Sequence, residues 1–415
     1  MVSLVLPKDL VQHQRKTIRT LSAVQVLNSV GTSGTVAAGS LLVASISKSE
    51  SLAGLAQTTT VLGAALMALP LARLTQKGGR RLALMSGLIV GAVGAICAIL
   101  GGTHKILFLM LIGTFMVGAA SASGYQARFA AIDLATAGNR SKNLSIVVWG
   151  STVGAVAGPN LMQPAGDFAR YLNLPRLVGP YFIATASLAL AAIVIFVFLR
   201  PDPYLIANLS ADGVTQNKHQ TIKSALKHIR QIPHALFAVS AIGIGHLAMV
   251  SIMIMTPVHM SHMEVALSVI GLVISVHVLG MYAFSPLIGA MSDRLGRVKV
   301  IQIGIILLLA SAAIAGRTSA MNTIQLGIGL FLLGLGWSCT MIAGSTLLSE
   351  SVSVEMKPAS QGASDLVMNL MGATGGAISG VIIGFFSYGW LCTFTAILVA
   401  IVGSWSLKIK AGQGL

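Results

Sequence analysis

The chain has 415 residues, of which 55% are hydrophobic and only 9% are charged, and its mean hydropathy is +0.84. A soluble domain carries about 25% charged residues, so most of this surface must face lipid. In lipid every backbone N–H and C=O needs a partner within the protein, which leaves only helices or closed barrels. Long, predominantly apolar runs, such as 178–199 and 301–315, exclude barrel strands, which alternate apolar and polar residues.

A formal charge of +16 does not indicate nucleic acid, because the 27 lysines and arginines lie between apolar runs and form no basic domain. The cysteines Cys97, Cys339 and Cys392 lie inside apolar runs, which excludes a disulfide framework and a CxxC metal motif. The sequence has no nucleophile–base arrangement, nucleotide loop or haem motif. We therefore expect a monomeric membrane protein that is not an enzyme and needs no cofactor.

Residues 1–17 are polar and basic without a small-residue cleavage site, which indicates a cytoplasmic arm rather than a cleaved signal. A spanning helix needs about 20 apolar residues, and this length predicts an all-α membrane protein with about twelve spans. The predicted spans are 18–46, 51–74, 80–101, 105–134, 143–164, 178–199, 235–258, 264–288, 299–315, 321–348, 360–384 and 388–408.

The long polar connection 200–234 divides the chain into two six-helix halves, 18–199 and 235–415. We expect a solvated linker in its first part, and its second part can form a short amphipathic helix. With the N-terminus inside, 22 of the 27 lysines and arginines fall in inner segments. Basic residues favour the cytoplasmic side, so both termini are predicted in the cytoplasm of a bacterial inner membrane.

The two halves carry similar turns, at 72–81 after the second span and at 289–297 after the eighth. The second turn resembles the G-x-x-x-D-R-x-G-R signature of the major facilitator superfamily. In the first turn Ala72 and Gln76 replace the signature's Gly and Asp. The matching residues are Gly289, Asp293, Arg294, Gly296 and Arg297 in the second turn and Gly79, Arg80 and Arg81 in the first.

The resemblance implies two six-helix halves around a central cavity, with transport by alternating access. Asp293 can accept hydrogen bonds at a neighbouring helix N-terminus, where the dipole favours an anion. Arg294 and Arg297 can pair with acids or lipid phosphates, so the signature could latch one conformational state. Anchoring by positive charge on the inner side is the alternative interpretation of these arginines.

The fifth span carries Gly154-x-x-x-Gly158-Pro159, which resembles the superfamily's antiporter motif without its trailing Gly. Thr114, in the fourth span, stands where many drug–proton antiporters have an Arg. The resemblance to drug antiporters is therefore partial.

Ionisable groups inside spans are costly and mark functional sites. Asp365, inside the eleventh span, is the candidate for a coupling proton or cation. Asp133 is a second candidate, with a salt bridge to Arg128 or between the halves as the structural alternative. Gln25 and Asn28 share a face of the first span and either line the cavity or bond a neighbouring helix.

The segment 246–281 holds four of the nine histidines and six of the eighteen methionines. Met249 and Met253 are four residues apart in the seventh span, and His277 and Met281 are four apart in the eighth. Each pair therefore shares a helix face, and we expect the two antiparallel helices to be neighbours at mid-membrane. The outer mouth between them holds His259, Met260, His262 and Met263.

Thioether and imidazole ligands suit Cu(I), although methionine also fills gaps between helices. The pattern M-x-x-x-M followed by H-x-x-x-M resembles the signature of CcoA-like copper importers, and related transporters of that branch carry riboflavin. The expected function is import of copper ion. Proton-coupled efflux or uptake of a small organic compound, a drug or vitamin, is the alternative, and a membrane sensor is a third.

Overall fold

The computed structural model describes residues 7–48, 52, 55–210, 221–261, 267–319 and 321–409. Throughout these residues the regular secondary structure is helical, as predicted. The α-helices are Pro7–Ser47 (α1), Leu55–Thr103 (α2), Leu107–Ala130 (α3), Arg140–Trp149 (α4), Ser151–Tyr171 (α5), Gly179–Phe198 (α6), Pro203–Ser210 (α7), Ile222–Gln231 (α8), Pro233–Ser261 (α9), Leu267–Tyr282 (α10), Ser285–Leu295 (α11), Arg297–Arg317 (α12), Thr323–Ser351 (α13), Lys357–Phe385 (α14) and Tyr388–Ser406 (α15).

Ten helices of the described residues are long and apolar enough to cross a membrane. A bent pair, Arg140–Gly158 with Asn160–Tyr171, covers α4 and α5 and adds an eleventh. At 49 residues α2 is about 74 Å long, more than twice the hydrocarbon thickness. It is broken at Gly79, with φ 85° and ψ 178°. Because α2 therefore supplies two spans, each of the twelve predicted spans has a helical counterpart.

The turns at 72–81 and 289–297 are shorter than the sequence suggests. Residues 72–81 continue α2 except at Gly79, and α11 runs to Leu295 before Gly296, whose φ is 92°. Each predicted turn is thus a single residue in the positive-φ region, which glycine enters without a Cβ clash. The eighth span also differs, because α10 and α11 are separated at 283–284.

Two polar segments are more helical than predicted. Residues 7–17 of the predicted arm belong to α1, which begins at Pro7, a residue favoured at the first helical position. In the first part of the linker α7 replaces the expected solvated coil, and Asp202 caps it by accepting from the N–H of Tyr204 at 2.9 Å. The expected amphipathic helix is α8, whose Ile229 is buried; residues 211–220 lie outside the described part.

The chain forms two compact units that depart from the predicted halves at two short segments. The first unit is Met1–Thr136, Ile146–Ile222 and Val354–Leu366, and the second is Ala137–Ser145, Lys223–Ser353 and Val367–Leu415. The start of α14 therefore belongs to the first unit, and the start of α4 belongs to the second. Both segments carry polar side chains of the candidate site.

Small residues set the close packing of α2 against α3 in the first unit. A Cβ added to Gly113 would lie 2.5 Å from the backbone nitrogen of Ala98, so a larger residue would separate the helices. Such contacts replace the hydrophobic driving force, which is weak between helices in lipid.

Candidate functional site

A buried arginine organises the polar interior of the first unit. Arg80 follows the break at Gly79 and is 0% exposed. Its Nε and Nη2 donate to the two carboxylate oxygens of Asp133 at 2.8 and 3.2 Å, a bidentate pair. Nη2 also donates to Oε1 of Gln361 at 2.6 Å, and Nη1 donates to Oε1 of Gln126 at 3.4 Å.

A second buried ion pair lies on the same side of α14. Nη2 of Arg128 donates to Oδ1 of Asp365 at 2.5 Å, and the two side chains are 2% and 1% exposed. The Nε of Arg128 is buried without a partner in the described residues. Gln361 and Asp365 are four residues apart, so one face of α14 contacts both Arg80 and Arg128.

The salt bridge expected between Asp133 and Arg128 does not form. The helix α3 ends at Ala130, and Asp133 lies in the turn beyond it, so the two side chains do not share a helix face. Asp133 instead pairs with Arg80, and Arg128 pairs with Asp365. Both partners come from segments distant in sequence, so spacing alone does not reveal them.

In the second unit Asp293 caps the N-terminus of α4, and the hydrogen bonds expected for it are confirmed. Its Oδ1 accepts from the backbone N–H of Ser141 at 3.0 Å, and its Oδ2 accepts from that of Lys142 at 2.8 Å. These N–H groups belong to the first turn, which has no partners within the helix. The carboxylate also complements the positive end of the helix dipole.

Arg297 completes this cluster. Its Nη1 lies 2.8 Å from Oδ1 of Asp293, and its Nη2 donates to Oε1 of Glu350 at 3.0 Å. Arg140, the first residue of α4, pairs with the same Glu350 at 3.3 Å. Arg297 therefore pairs with acids, as one of its two expected roles requires, whereas Arg294 is exposed and has no ion pair within the described residues. The sequence contained no signal for Glu350.

His277 faces α13, on which α10 makes most of its contacts, and the expected contact of α10 with α9 is present but less extensive. Its ring is fully buried, with Nδ1 at 2.8 Å from the carbonyl oxygen of Leu330, and its Nε2 has no partner in the described residues. The helix α10 packs mainly on α13 because Gly334 allows it: a Cβ there would lie 2.7 Å from the nitrogen of Met281. Met249 and Met281 are buried, and Met253 is partly buried.

The expected outer-mouth set is only partly described. The ring of His259 stacks on Tyr388, with ring centres 4.4 Å apart and planes 7° apart. Met260 is fully buried, so its thioether does not reach water. His262 and Met263 lie outside the described residues. Capture of an ion at this end stays a prediction.

An aromatic cluster in the second unit was missed from the sequence. Nε1 of Trp337 donates to Nδ1 of His246 at 3.0 Å, and the ring of Tyr282 lies edge-on to Trp337 at 5.7 Å. Because an indole N–H only donates, Nδ1 is an acceptor and the proton of a neutral His246 is on Nε2. Nε2 points towards α14, where a Cβ at Gly372 would lie 2.8 Å from it. The sequence placed His246 only in a metal-type cluster.

Two polar residues of α1 bond neighbouring helices, which is one of their two expected roles. Nε2 of Gln25 donates to Oγ of Ser151 at 2.8 Å, and Nδ2 of Asn28 donates to the carbonyl of Ala120 at 3.2 Å. Thr114, where antiporters have Arg, lies 2.7 Å from the hydroxyl of Thr59.

The antiporter-like motif is a contact between α1 and α5. Oγ of Ser33 donates to the carbonyl of Gly154 at 2.7 Å, and a Cβ at Gly158 would collide with Ser33. Inside α5, the segments Arg140–Gly158 and Asn160–Tyr171 meet at a bend of 54° at Pro159, whose nitrogen has no hydrogen to donate.

The model of the Major Facilitator Superfamily matches residues 21–268 and 246–413. The chain belongs to this family. It is a multi-pass membrane transporter and not an enzyme, so the sensor alternative is dropped. The cytoplasmic position of both termini stays a prediction.

Relatives support the same assignment. The uncharacterized MFS-type transporter YdeG of Bacillus subtilis is 36% identical over 90% of this chain and 87% of the relative. The uncharacterized MFS-type transporter YddS of the same organism is 33% identical over 94% of this chain and 90% of that relative. The riboflavin transporter RfnT of Brucella anthropi is 27% identical over 85% of each.

Solved structures share the fold of this facilitator at low identity. The Escherichia coli transporter FucP in its outward conformation aligns with a TM-score of 0.73 at 16% identity, covering 96% of this chain and 99% of FucP. A bacterial homologue of the iron transporter ferroportin aligns at 0.71 and 13%, covering 94% and 98%. At these identities the likeness concerns the fold alone.

Proposed function

We propose that this facilitator couples the movement of a small organic solute to protons by alternating access, with the Arg128–Asp365 pair as the coupling site. The observation that carries the proposal is the 2.5 Å ion pair between two side chains that are at most 2% exposed. A carboxylate removed from water inside a spanning helix is the group type that membrane proteins use to carry protons.

Protonation of Asp365 changes the energetics of this pair. It removes the negative charge and leaves Arg128 as a buried cation, and uncompensated buried charges cost about 3–5 kcal/mol. A conformation that gives Arg128 another acceptor or water is then favoured. Because Gln361 lies one turn away on α14 and binds Arg80, the change at Asp365 acts on a helix face held at two points.

The proposed solute is a planar heterocyclic compound such as a vitamin. The relative RfnT is named a riboflavin transporter. In the second unit the ring of Tyr282 lies edge-on to Trp337, and the indole N–H of Trp337 donates to His246. Aromatic rings with a few fixed polar groups are typical of sites for flat organic ligands.

Copper ion import is the second candidate, and Nε2 of His277 favours it. With Nδ1 beside the carbonyl of Leu330, Nδ1 carries the proton and Nε2 keeps its lone pair for a ligand. Met281, one turn along α10, is also buried. Among the described residues no three His, Cys, Asp or Glu side chains form a metal site, so thioethers would have to supply the remaining ligands.

The coupling site is tested with Asp365→Asn in proteoliposomes. We expect uptake driven by a proton gradient to fall at least tenfold, while exchange of solute across the membrane persists. Asp167→Asn is the matched control, because Asp167 is 54% exposed and forms only a loose 3.7 Å pair with Arg176. Unchanged gradient-driven uptake in Asp365→Asn, at equal protein abundance, contradicts the proposal.

The substrate class is decided by comparing riboflavin and Cu(I) uptake in two variants. We expect Trp337→Leu to lose uptake of the organic solute, whereas Met249→Leu/Met253→Leu, which keeps volume but removes sulfur, leaves it unchanged. If copper uptake is measurable and His277→Ala and the double Met variant abolish it, copper replaces the organic solute as the leading candidate.

A further inference from the structure

A cleft of about 500 Å³ lies in the first unit, where the part of α2 after Gly79 meets the end of α6 and the start of α7. One side of it is cationic and the other is apolar. It is separate from the Arg80 and Arg128 ion pairs. Its lining includes Arg81, Leu82, Met85, Phe196, Arg200 and Leu205.

Two guanidinium groups converge on one residue of this cleft. Nε of Arg81 and Nε of Arg200 donate to the same carbonyl, that of Phe196, at 3.1 and 3.2 Å. Both guanidinium carbons also lie over the Phe196 ring, 4.6 and 5.1 Å from its centre. The Nε contacts orient both groups, and their Nη atoms have no acceptor among the described residues.

The local charge is positive. Nζ of Lys16 donates to the carbonyl of Arg200 at 2.9 Å and adds a third cation. Among the described lining residues the one carboxylate is Asp202, and backbone N–H groups use it: it accepts from the N–H of Arg81 at 2.7 Å and from that of Tyr204 at 2.9 Å. Among the described residues, the cleft therefore has two arginines in its lining and a lysine beside it, against a carboxylate that already accepts hydrogen bonds.

The apolar side chains of the cleft are exposed. Leu82, Phe196 and Leu205 are 37%, 49% and 44% exposed. In a membrane protein, large apolar side chains exposed beside a spanning helix contact acyl chains. The cations thus lie where the apolar surface ends, which is the depth of lipid headgroups.

We propose that this cleft binds an anionic phospholipid, with its phosphodiester on the Nη groups of Arg81 and Arg200 and an acyl chain over Leu82 and Phe196. Arginine forks match phosphate oxygens in a bidentate manner. A free phosphate ion would use the cations but not the apolar wall. The combination of the two surfaces favours a lipid over a soluble anion.

The test measures lipid binding to the purified full chain by native mass spectrometry, with phosphatidylglycerol and phosphatidylcholine as probes. A basic side chain near a membrane surface contributes about 1 kcal/mol, which is about fivefold in affinity. We expect Arg200→Gln to weaken phosphatidylglycerol binding about fivefold and Arg81→Gln/Arg200→Gln about 25-fold. Phosphatidylcholine should bind more weakly to the wild type.

Arg73→Gln/Lys77→Gln is the matched control, because it removes two exposed cations of α2 outside the cleft. We expect it to change phosphatidylglycerol binding less than twofold. Equal loss in the control, or no loss at Arg81 and Arg200, overturns the proposal. Arg200 is exposed, so the single variant carries the test if the double variant does not fold.

A second arm separates a lipid from a soluble anion. Inorganic phosphate is added to the wild type at increasing concentration in the presence of phosphatidylglycerol. We expect millimolar phosphate to leave the bound lipid in place, because phosphate makes no contact with the apolar side of the cleft, whereas the acyl chain does. Displacement of phosphatidylglycerol by phosphate at such concentrations overturns the lipid assignment in favour of an anion site.

Discussion

The segments 72–81 and 289–297 each contain a positive-φ glycine that interrupts the helix. The side chains of the two segments then contact different neighbouring helices. Gly79 has φ 85° and ψ 178°, and Gly296 has φ 92° and ψ 152°. The arginine after each glycine, Arg80 or Arg297, makes ion pairs. In the first unit the neighbouring helix is the start of α14, and in the second it is the start of α4.

The two arginines differ in their access to water. Arg80 is fully buried and joins Asp133 to Gln361 of α14 through side chains alone. Arg297 is 11% exposed and pairs with a Glu350 that is 23% exposed. Charge interactions are stronger where water is excluded, but removing the charges from water costs free energy. The first unit therefore holds its helix start by the arrangement with the larger desolvation cost.

The glycine that lets the two helices approach closely lies on a different helix in each unit. In the second unit Gly289 of α11 faces Ser145 of α4, and a Cβ there would collide with it. In the first unit the corresponding residue is Ala72, and the glycine is on α14: a Cβ at Gly362 would lie 2.6 Å from Cβ of Ala72. The two segments therefore share their backbone geometry, but the glycine of the helix contact lies on the segment itself in the second unit and on the neighbouring helix in the first.

Removal of Arg80 should have the largest effect. We expect Arg80→Leu to lower the free energy of unfolding by about 3–5 kcal/mol, because Asp133 becomes an unpaired buried charge. Arg80→Leu/Asp133→Leu should recover much of this loss. Thermal or denaturant unfolding in detergent measures it, with Arg297→Leu as the partly exposed counterpart. Equal losses for Arg80→Leu and Arg297→Leu would remove the difference in burial as an explanation.

Alanine at the two glycines sharpens the backbone comparison. A residue with a Cβ that is forced into the positive-φ region costs about 1–3 kcal/mol. Both Gly79→Ala and Gly296→Ala should therefore be destabilising. Gly79→Ala should cost more, because its Cβ would meet the carboxylate of Asp202, whereas a Cβ at Gly296 has nothing within 4 Å. Unfolding midpoints of the two variants check this order, and the reverse order contradicts it.

The helix cap at Asp293 should have the smallest effect on stability. Asp293→Asn keeps one acceptor for α4 but loses the charge, so we expect a loss of about 1 kcal/mol. Because Asp293 is predicted to latch one conformational state, Asp293→Asn should slow transport while solute binding at equilibrium stays nearly unchanged. Stopped-flow uptake and binding are compared at equal abundance, and a large loss of affinity in a folded protein argues against a latch.

The helices could be predicted from hydropathy because lipid forces the backbone to bond within each span. The ends were less predictable: the helices begin at Pro7 and Pro203, in segments judged by polarity as arm and linker. The polarity of a segment predicts that it contacts water, but a segment in contact with water can still be helical. The break at Gly79 was predicted as a turn of several residues, since no rule of composition shows that one glycine is enough.

The candidate site divides in the same way. The sequence by itself determined the membrane class, the superfamily, the repeated turn and the role of Asp293 as a helix cap, because these depend on residue type and local spacing. Only the tertiary structure decided that Arg80 joins Gln361, that Arg128 meets Asp365, and that His277 faces α13. Those contacts join segments up to 281 positions apart, and a buried charge selects its partner by position in space, which spacing along the chain does not encode.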